Sequence, residues 1–207
     1  MGGSSELLRL FVVWAAAGAA HLVANQAVAA YGQRRLRAAP AAQSLPLADL
    51  GHALLPRVRL PPWGGALLEL WAPAPGLLAV ALGPPECAAL FLRAHAAVLV
   101  LRPCCFLGTI LPDASGVSDP RPRLLSLAGG IHDLMFSGHV AAALCGVLAW
   151  ASTCGAGAPA ALRAAAFAAC AAQSLAILAA RKHYTVDVVV AWIVCPLLCA
   201  ALREAPA

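Results

Sequence analysis

The chain has 207 residues, 62% of them hydrophobic and 11% charged, with a formal net charge of +5. A soluble domain carries about 25% charged residues, so this chain cannot cover a water-facing surface of its size; it reads as a single integral membrane domain, residues 1–207, with no separate soluble module. The positive charge shows no aromatic-interleaved basic patch, which argues against nucleic acid as a partner, and the eight cysteines form no C-x-x-C pair, which argues against a zinc site or a disulfide framework.

A spanning helix needs about 20 mostly apolar residues. Six stretches approach that length: 7–31, 63–83, 87–111, 136–154, 160–180 and 184–203. The expected fold class is therefore all-α, a polytopic integral membrane protein with about six transmembrane helices. In the first stretch Ala27-Val28-Ala29 has the look of a cleavage site, but no basic region precedes the apolar run, and a retained helix is expected. Its polar residues His21, Asn25 and Gln26 are expected to pack between helices. Arg34, Arg35 and Arg37 follow as a topology or lipid-surface cluster, in a long loop, 32–62, rich in Pro and Arg. Pro73 and Pro75 interrupt the second stretch, which a membrane helix tolerates when neighbours satisfy the freed carbonyls. The third carries Arg93 and His95, expected to snorkel or to meet a neighbouring helix, and Arg102, which either binds phosphate or snorkels. A proline-marked loop, 112–132, leads to the fourth stretch. The alanine-rich run 164–172 of the fifth suits close packing through small residues. The turn Arg181-Lys182-His183 opens the last.

With six spans, loops one, three and five share one face. That places Asp133, the neighbourhood of His139, and His183 together. Such groups are costly in hydrocarbon and are functional hypotheses by default. His183 and Asp187 are four residues apart on one helix face. An Asp one turn from a His orients the imidazole and stabilises its cationic form, which leaves the other ring nitrogen to attack phosphorus. His139 is then the acid and base. Gly138 lets the backbone approach a phosphate, and Ser137 with the start of the fourth helix offers donors to its oxygens. A shared phosphate requires the two histidine rings to lie within about 10 Å. A structural hydrogen-bond cluster is the competing reading. No metal or other cofactor is implied, because the carboxylates form no metal-ligand cluster and histidine can carry the covalent step.

These residues resemble two motifs of the lipid phosphate phosphatase (PAP2-type) superfamily, Ser137-Gly138-His139 and His183-x-x-x-Asp187. The longer resemblance is to its sphingomyelin synthase branch, with G-D-x-x-x-S-G-H-T and H-Y-T-x-D-V-x-x-A-Y. Here the segments read His132-Asp133-x-x-x-Ser137-Gly138-His139-Val140 and His183-Tyr184-Thr185-Val186-Asp187-Val188-Val189-Val190-Ala191-Trp192. Arg102, Thr109, Leu111 and Pro112 match an R-x6-T-x-L-P segment, and Pro46-Leu47-Ala48-Asp49 resembles P-L-P-D. The resemblance runs from about residue 44 to 192.

The resemblance implies a six-helix fold and a phosphohistidine relay. A donor glycerophospholipid would give its phospho-head group, phosphocholine or a relative of it, to His183, and ceramide would accept it. Diacylglycerol is a product, or the acceptor in a related branch, and water would be the acceptor in a phosphatase. By matching position, His183 is the nucleophile, Asp187 its partner and His139 the acid and base. Asp133 supports the site, Arg102 joins it, and Glu69 corresponds to a family glutamate. His132, Ile131, Val140, Cys105 and Trp192 replace a glycine, a cysteine, two threonines and a tyrosine, which bears on the head-group pocket. The wider superfamily has an Arg six residues before the last His; here it is Ile177, as in the sphingomyelin synthase branch, which favours a transferase. The resemblance puts the active face in the lumen or outside, in the Golgi, endoplasmic reticulum or plasma membrane. Arg and Lys counts on loops one, three and five point the other way, although arginines beside a phosphate site serve substrate as well as topology. Homo-oligomerisation is left open.

Overall fold

The computed structural model describes residues 2–38, 46–112, 114 and 134–204. No strand occurs among them. The elements in chain order are α1 (Gly2–Ala38), α2 (Leu50–Leu54), α3 (Pro62–Trp71), α4 (Ala74–Leu82), α5 (Pro85–Gly108), α6 (Gly138–Ser152), α7 (Ala160–Ala179) and α8 (Thr185–Glu204), with a 3₁₀ turn at Gly155–Gly157. The segment Ser4–Gly32 of α1, and α5, α7 and α8, are long and apolar enough to cross a membrane; α6 is apolar but shorter. The protein is an all-α polytopic membrane protein.

The stretch 63–83 differs from a single uninterrupted helix. It forms α3 and α4, because Pro73 has no N–H for the helical ladder and its ring crowds the preceding turn. Ala72 (φ −55°, ψ −51°) and Pro73 (φ −78°, ψ −17°) keep right-handed helical backbone, and Leu77 N donates to Pro73 O at 2.9 Å. The break is thus a proline kink within one path. A second difference is α2, a short helix inside the first long loop, capped by Asp49.

Helices α5 and α6 form the centre: α5 packs against α1, α4, α6 and α8, and α6 also packs against α7. Gly146 permits the crossing of α6 with α4, since a Cβ there would collide with the backbone of Pro75 and Gly76. Close approach through small residues is how membrane helices gain contact without a hydrophobic driving force. Helix α1 runs parallel to α5 in a heptad-like register. Trp14 Nε1 donates to His95 Nδ1 at 2.9 Å and Arg102 meets His21 at 2.8 Å, both pairs 81 residues apart. One face of α1 is thereby docked by a part-buried and a buried polar pair, while Leu8, Phe11, Val13 and Val23 remain outward.

All the connections that matter for chemistry gather at one end. Val58 N donates to Ala179 O, and Ser137 N to Asp187 O. Leu47, Pro112 and Tyr184 meet through one hydroxyl. The described part of loop one, Pro112 and the α7–α8 turn therefore lie at one end of the bundle.

Candidate active site

Helix α6 begins at a side-chain cap. Ser137 is extended (φ −66°, ψ 111°) and its Oγ accepts from Val140 N at 3.4 Å, the geometry that Ser supplies at an N-cap. Gly138 and His139 are the first two residues of the helix. Helix α7 ends with Arg181 in the left-handed region (φ 57°). Arg181 N bonds Leu178 O at 3.0 Å and Lys182 N bonds Ile177 O at 3.1 Å. That Schellman closure turns the chain so that His183 and α8 re-enter beside α6.

The two histidines come together there. Their ring centroids are 5.9 Å apart in an edge-to-face arrangement, inside the limit a shared phosphate sets. His183 is 4% exposed and Asp187 fully buried. His183 Nδ1 lies 2.9 Å from Asp187 Oδ2. A carboxylate only accepts, so the proton is assigned to Nδ1, which leaves Nε2 as the nucleophilic lone pair. The same carboxylate accepts from Tyr184 N at 3.0 Å and from Met135 N at 2.7 Å. Met135 takes a positive φ of 89°, a conformation that costs a non-glycine residue about 1–3 kcal/mol. Its charge-assisted bond to Asp187 offsets that cost and ties the segment before Ser137 to α8.

Arg102 lies behind the turn, 5% exposed. Its Nε donates to Phe136 O at 2.8 Å. One Nη donates to His21 Nε2 at 2.8 Å, which requires that imidazole nitrogen to be unprotonated. Gly138 is packed on this guanidinium: a Cβ would stand 2.7 Å from Nη1 and 2.8 Å from Cζ. Gly138→Ala should therefore push Arg102 off Phe136 O, at an overpacking cost of about 1–3 kcal/mol. A lowered thermal unfolding midpoint, together with a fall in turnover larger than in any exposed Gly→Ala control, is the expected reading.

A clasp from the first loop holds the other side. Asp49 Oδ1 accepts from His52 N at 2.9 Å and from the Thr185 hydroxyl at 2.6 Å, and Oδ2 accepts from Thr185 N at 2.8 Å. One carboxylate thus sits at the positive ends of α2 and α8 at once. Gly51 N donates to Thr185 Oγ1 at 2.9 Å, and His52 Nε2 to the backbone carbonyl of His183 at 2.9 Å. Arg181 donates to His52 O at 2.6 Å and Leu55 O at 2.9 Å. Tyr184 Oη accepts from Leu47 N at 3.1 Å and donates to Pro112 O at 3.0 Å.

Burial by itself would raise the Asp49 carboxyl, but the Thr185 hydroxyl, the N–H groups of His52 and Thr185 and the nearby His52 ring outweigh it, holding the group below its ordinary 3.8. A carboxylate with a depressed folded value stabilises fully above its unfolded value and loses that contribution as pH falls through the folded one. Asp49→Asn keeps one cap oxygen but loses the charge and the acceptor for Thr185 N, at a cost of about 1 kcal/mol at neutral pH. Thermal unfolding in detergent, followed down through 3.8, should show the two proteins converging.

Of the residues singled out in the sequence, His139, His183, Asp187, Ser137, Gly138 and Arg102 are brought to one place. Asp133 lies outside the described residues. Glu69 belongs to α3, but its side chain also lies outside them. The sequence reading gave no site role to His52, Thr185, Tyr184 or Arg181. The H-Y-T motif carried the signal for Tyr184 and Thr185 and the P-L-x-D motif for Asp49, without saying that the two motifs bind each other. Among the described residues no group of three or more His, Cys, Asp or Glu side chains is placed to hold a metal ion.

A carboxylate-backed histidine facing a second histidine at a membrane boundary fits covalent phosphoryl chemistry on a lipid head group. Residues 132–205 match the protein-family model described as PAP2 superfamily C-terminal, a span that includes both histidines and Asp187. The match supports a PAP2-type assignment for this region, and with it lipid phosphatase or phosphotransferase activity in general. No curated protein and no solved structure matches the chain.

Proposed function

We propose that this protein transfers a phospho-head group, phosphocholine or a close relative, from a glycerophospholipid to ceramide through a phosphohistidine. The observation that carries the reading is the edge-to-face His139–His183 pair at 5.9 Å, with buried Asp187 on Nδ1 of His183. In the first half-reaction Nε2 of His183 attacks phosphorus and the bond to the glyceride oxygen breaks. His139, protonated, gives its proton to that oxygen and diacylglycerol leaves. In the second, neutral His139 takes the proton of the acceptor hydroxyl, whose oxygen displaces His183 from phosphorus. Asp187 stabilises the imidazolium that the attack creates. Arg102 acts from behind the Ser137-Gly138-His139 turn, positioning its backbone donors for the phosphate oxygens.

Acceptor choice separates this reading from its two neighbours, exchange between glycerolipids and hydrolysis by water. Ile177 favours a lipid acceptor: it stands where the wider superfamily has an arginine, and it is fully buried in the apolar core, so no cation is offered there. Membranes containing the protein would be given labelled ceramide with mixed phospholipids and, separately, labelled diacylglycerol. A new phosphosphingolipid supports the proposal and identifies the head group. Labelled phospholipid from diacylglycerol alone moves the protein to glycerolipid exchange. Free phosphate or free head group, without either lipid product, makes it a phosphatase.

A further inference from the structure

The first loop turns two kinds of side chain outward beside the site. On α2, Leu50 and Leu54 are one turn apart on one face and are 69% and 74% exposed. The other side of α2 is closed. Gly51 is buried there, with Thr185 Oγ1 and Leu178 standing where a Cβ would go. Val58 and Leu60 continue the exposed apolar surface, and Trp63, the second residue of α3, is 68% exposed. Among these apolar residues stand Arg57 and Arg59, both exposed.

The depth of this segment is fixed by one bond. Val58 N donates to Ala179 O at 2.9 Å, and Ala179 is the last residue of α7, a helix apolar and long enough to cross a membrane. Residues 50–63 therefore lie where a span ends, at the boundary between hydrocarbon and head groups. Tryptophan is enriched at that boundary. A short segment that mixes outward Leu and Trp with Arg lies in the interface plane, its apolar groups sunk to the acyl boundary.

Charge then selects the lipid. In 46–63 and 179–187 the acidic residues are Asp49 and Asp187. Asp49 is engaged by His52 and Thr185, and Asp187 is buried against His183. Of the cations, Arg181 donates to the carbonyls of His52 and Leu55, whereas Arg57 and Arg59 face outward. The outward surface is thus apolar and positive, and each Lys or Arg near an anionic lipid surface adds to the attraction.

We propose that residues 50–63 form a strap seated on a leaflet of anionic lipid, with Leu50, Leu54 and Trp63 at the acyl boundary and Arg57 and Arg59 on lipid phosphates. The occupant is the surrounding lipid surface, not the donor lipid in the site. A zwitterionic leaflet would take up the apolar side chains equally well but give the arginines no net attraction. The back of the strap holds the nucleophile's backbone: His52 Nε2 donates to the carbonyl of His183, and Asp49 binds Thr185. The lipid seat therefore steadies the clasp from outside.

The test uses the full-length protein in nanodiscs of phosphatidylcholine, alone or mixed with phosphatidylglycerol. A diazirine in the acyl chain of one lipid or the other marks what touches the strap, and mass spectrometry locates the label. In mixed discs residues 50–63 should take more label from phosphatidylglycerol than from an equal amount of phosphatidylcholine, and the excess should shrink as salt is raised. Arg57→Gln and Arg59→Gln should each lower the phosphatidylglycerol label about fivefold and leave the phosphatidylcholine label unchanged. Arg203→Gln, an exposed arginine at the far end of α8, should change neither. Leu54→Ser should lower both. Hydrogen exchange at the Gly51, His52 and Thr185 amides, all bonded within the clasp, should slow in mixed discs for the wild type and not for the double arginine variant. Equal labelling by the two lipids, no response to either arginine, or exchange blind to lipid charge overturns the proposal. So does protection of the strap that appears only with two protein copies in a disc. Neither readout involves turnover, so loss of the ceramide reading would leave both standing, and their failure would leave the transfer assay as it was.

Discussion

Replacing His183 with Ala should remove head-group transfer by about 10⁴-fold or more, to the detection limit, because the covalent acceptor of phosphorus is gone. The protein should still fold. Asp187 keeps its bonds from Met135 N and Tyr184 N, although loss of the buried His183 ring leaves a cavity that His183→Gln would largely fill. His139→Ala should cost less, about 10²–10⁴-fold, since it removes proton transfer and leaves the nucleophile. A donor whose leaving group needs no proton, such as a nitrophenyl ester of phosphocholine, separates the roles. With that donor His139→Ala should recover most of its first half-reaction and accumulate acid-labile phosphate on the protein. His183→Ala should show neither burst nor label. Recovery of the His183 variant with such a donor would assign the nucleophile elsewhere.

Asp187→Asn should damage both chemistry and fold. The fully buried carboxylate serves three donors, His183 Nδ1, Tyr184 N and Met135 N. An asparagine offers one oxygen in place of two and turns an N–H group toward a donor. Losing a hydrogen bond to a buried charged group costs about 1.5–3 kcal/mol. In this site the loss falls first on Met135, whose backbone at φ 89° depends on Asp187 Oδ1. Turnover should fall about 10³-fold or more through the wrong imidazole tautomer, with a lower unfolding midpoint. The contrast with His183→Ala is the informative part: both variants should be inert, but only Asp187→Asn also disturbs the Met135 backbone and should be the more destabilised. A stable Asp187→Asn protein with near-normal turnover would reduce Asp187 to a packing residue.

The histidine pair was legible because two facts sufficed. Span counting puts loops one, three and five on one face, and His183 with Asp187 is a one-turn spacing. The kink at Pro73 was legible for the same reason, as proline has one effect in a helix interior. The clasp was not. Asp49 carries a recognisable motif, but a motif in a long loop does not announce which carbonyls and amides it will cap 136 residues later, as at Thr185. Helix α2 is five residues long, below the length at which periodicity speaks. Arg102 was read as a phosphate ligand or a snorkelling side chain. Its bond to Phe136 O also places it among the groups that hold the site in shape, a role visible only once the turn at Gly138 is folded against it.

The hydroxyl of Tyr184, joined to Leu47 N and Pro112 O across separations of 137 and 72 residues, bears on how the protein is made. During synthesis the helices enter the bilayer in order, and α1 waits for α5 to supply partners for Trp14 and His21. The first-loop clasp has nothing to hold until Thr185 has emerged. A nascent chain halted before α8 would hold His183 without Asp187 to orient it, so the proposed chemistry could begin only when translation has reached the last helix.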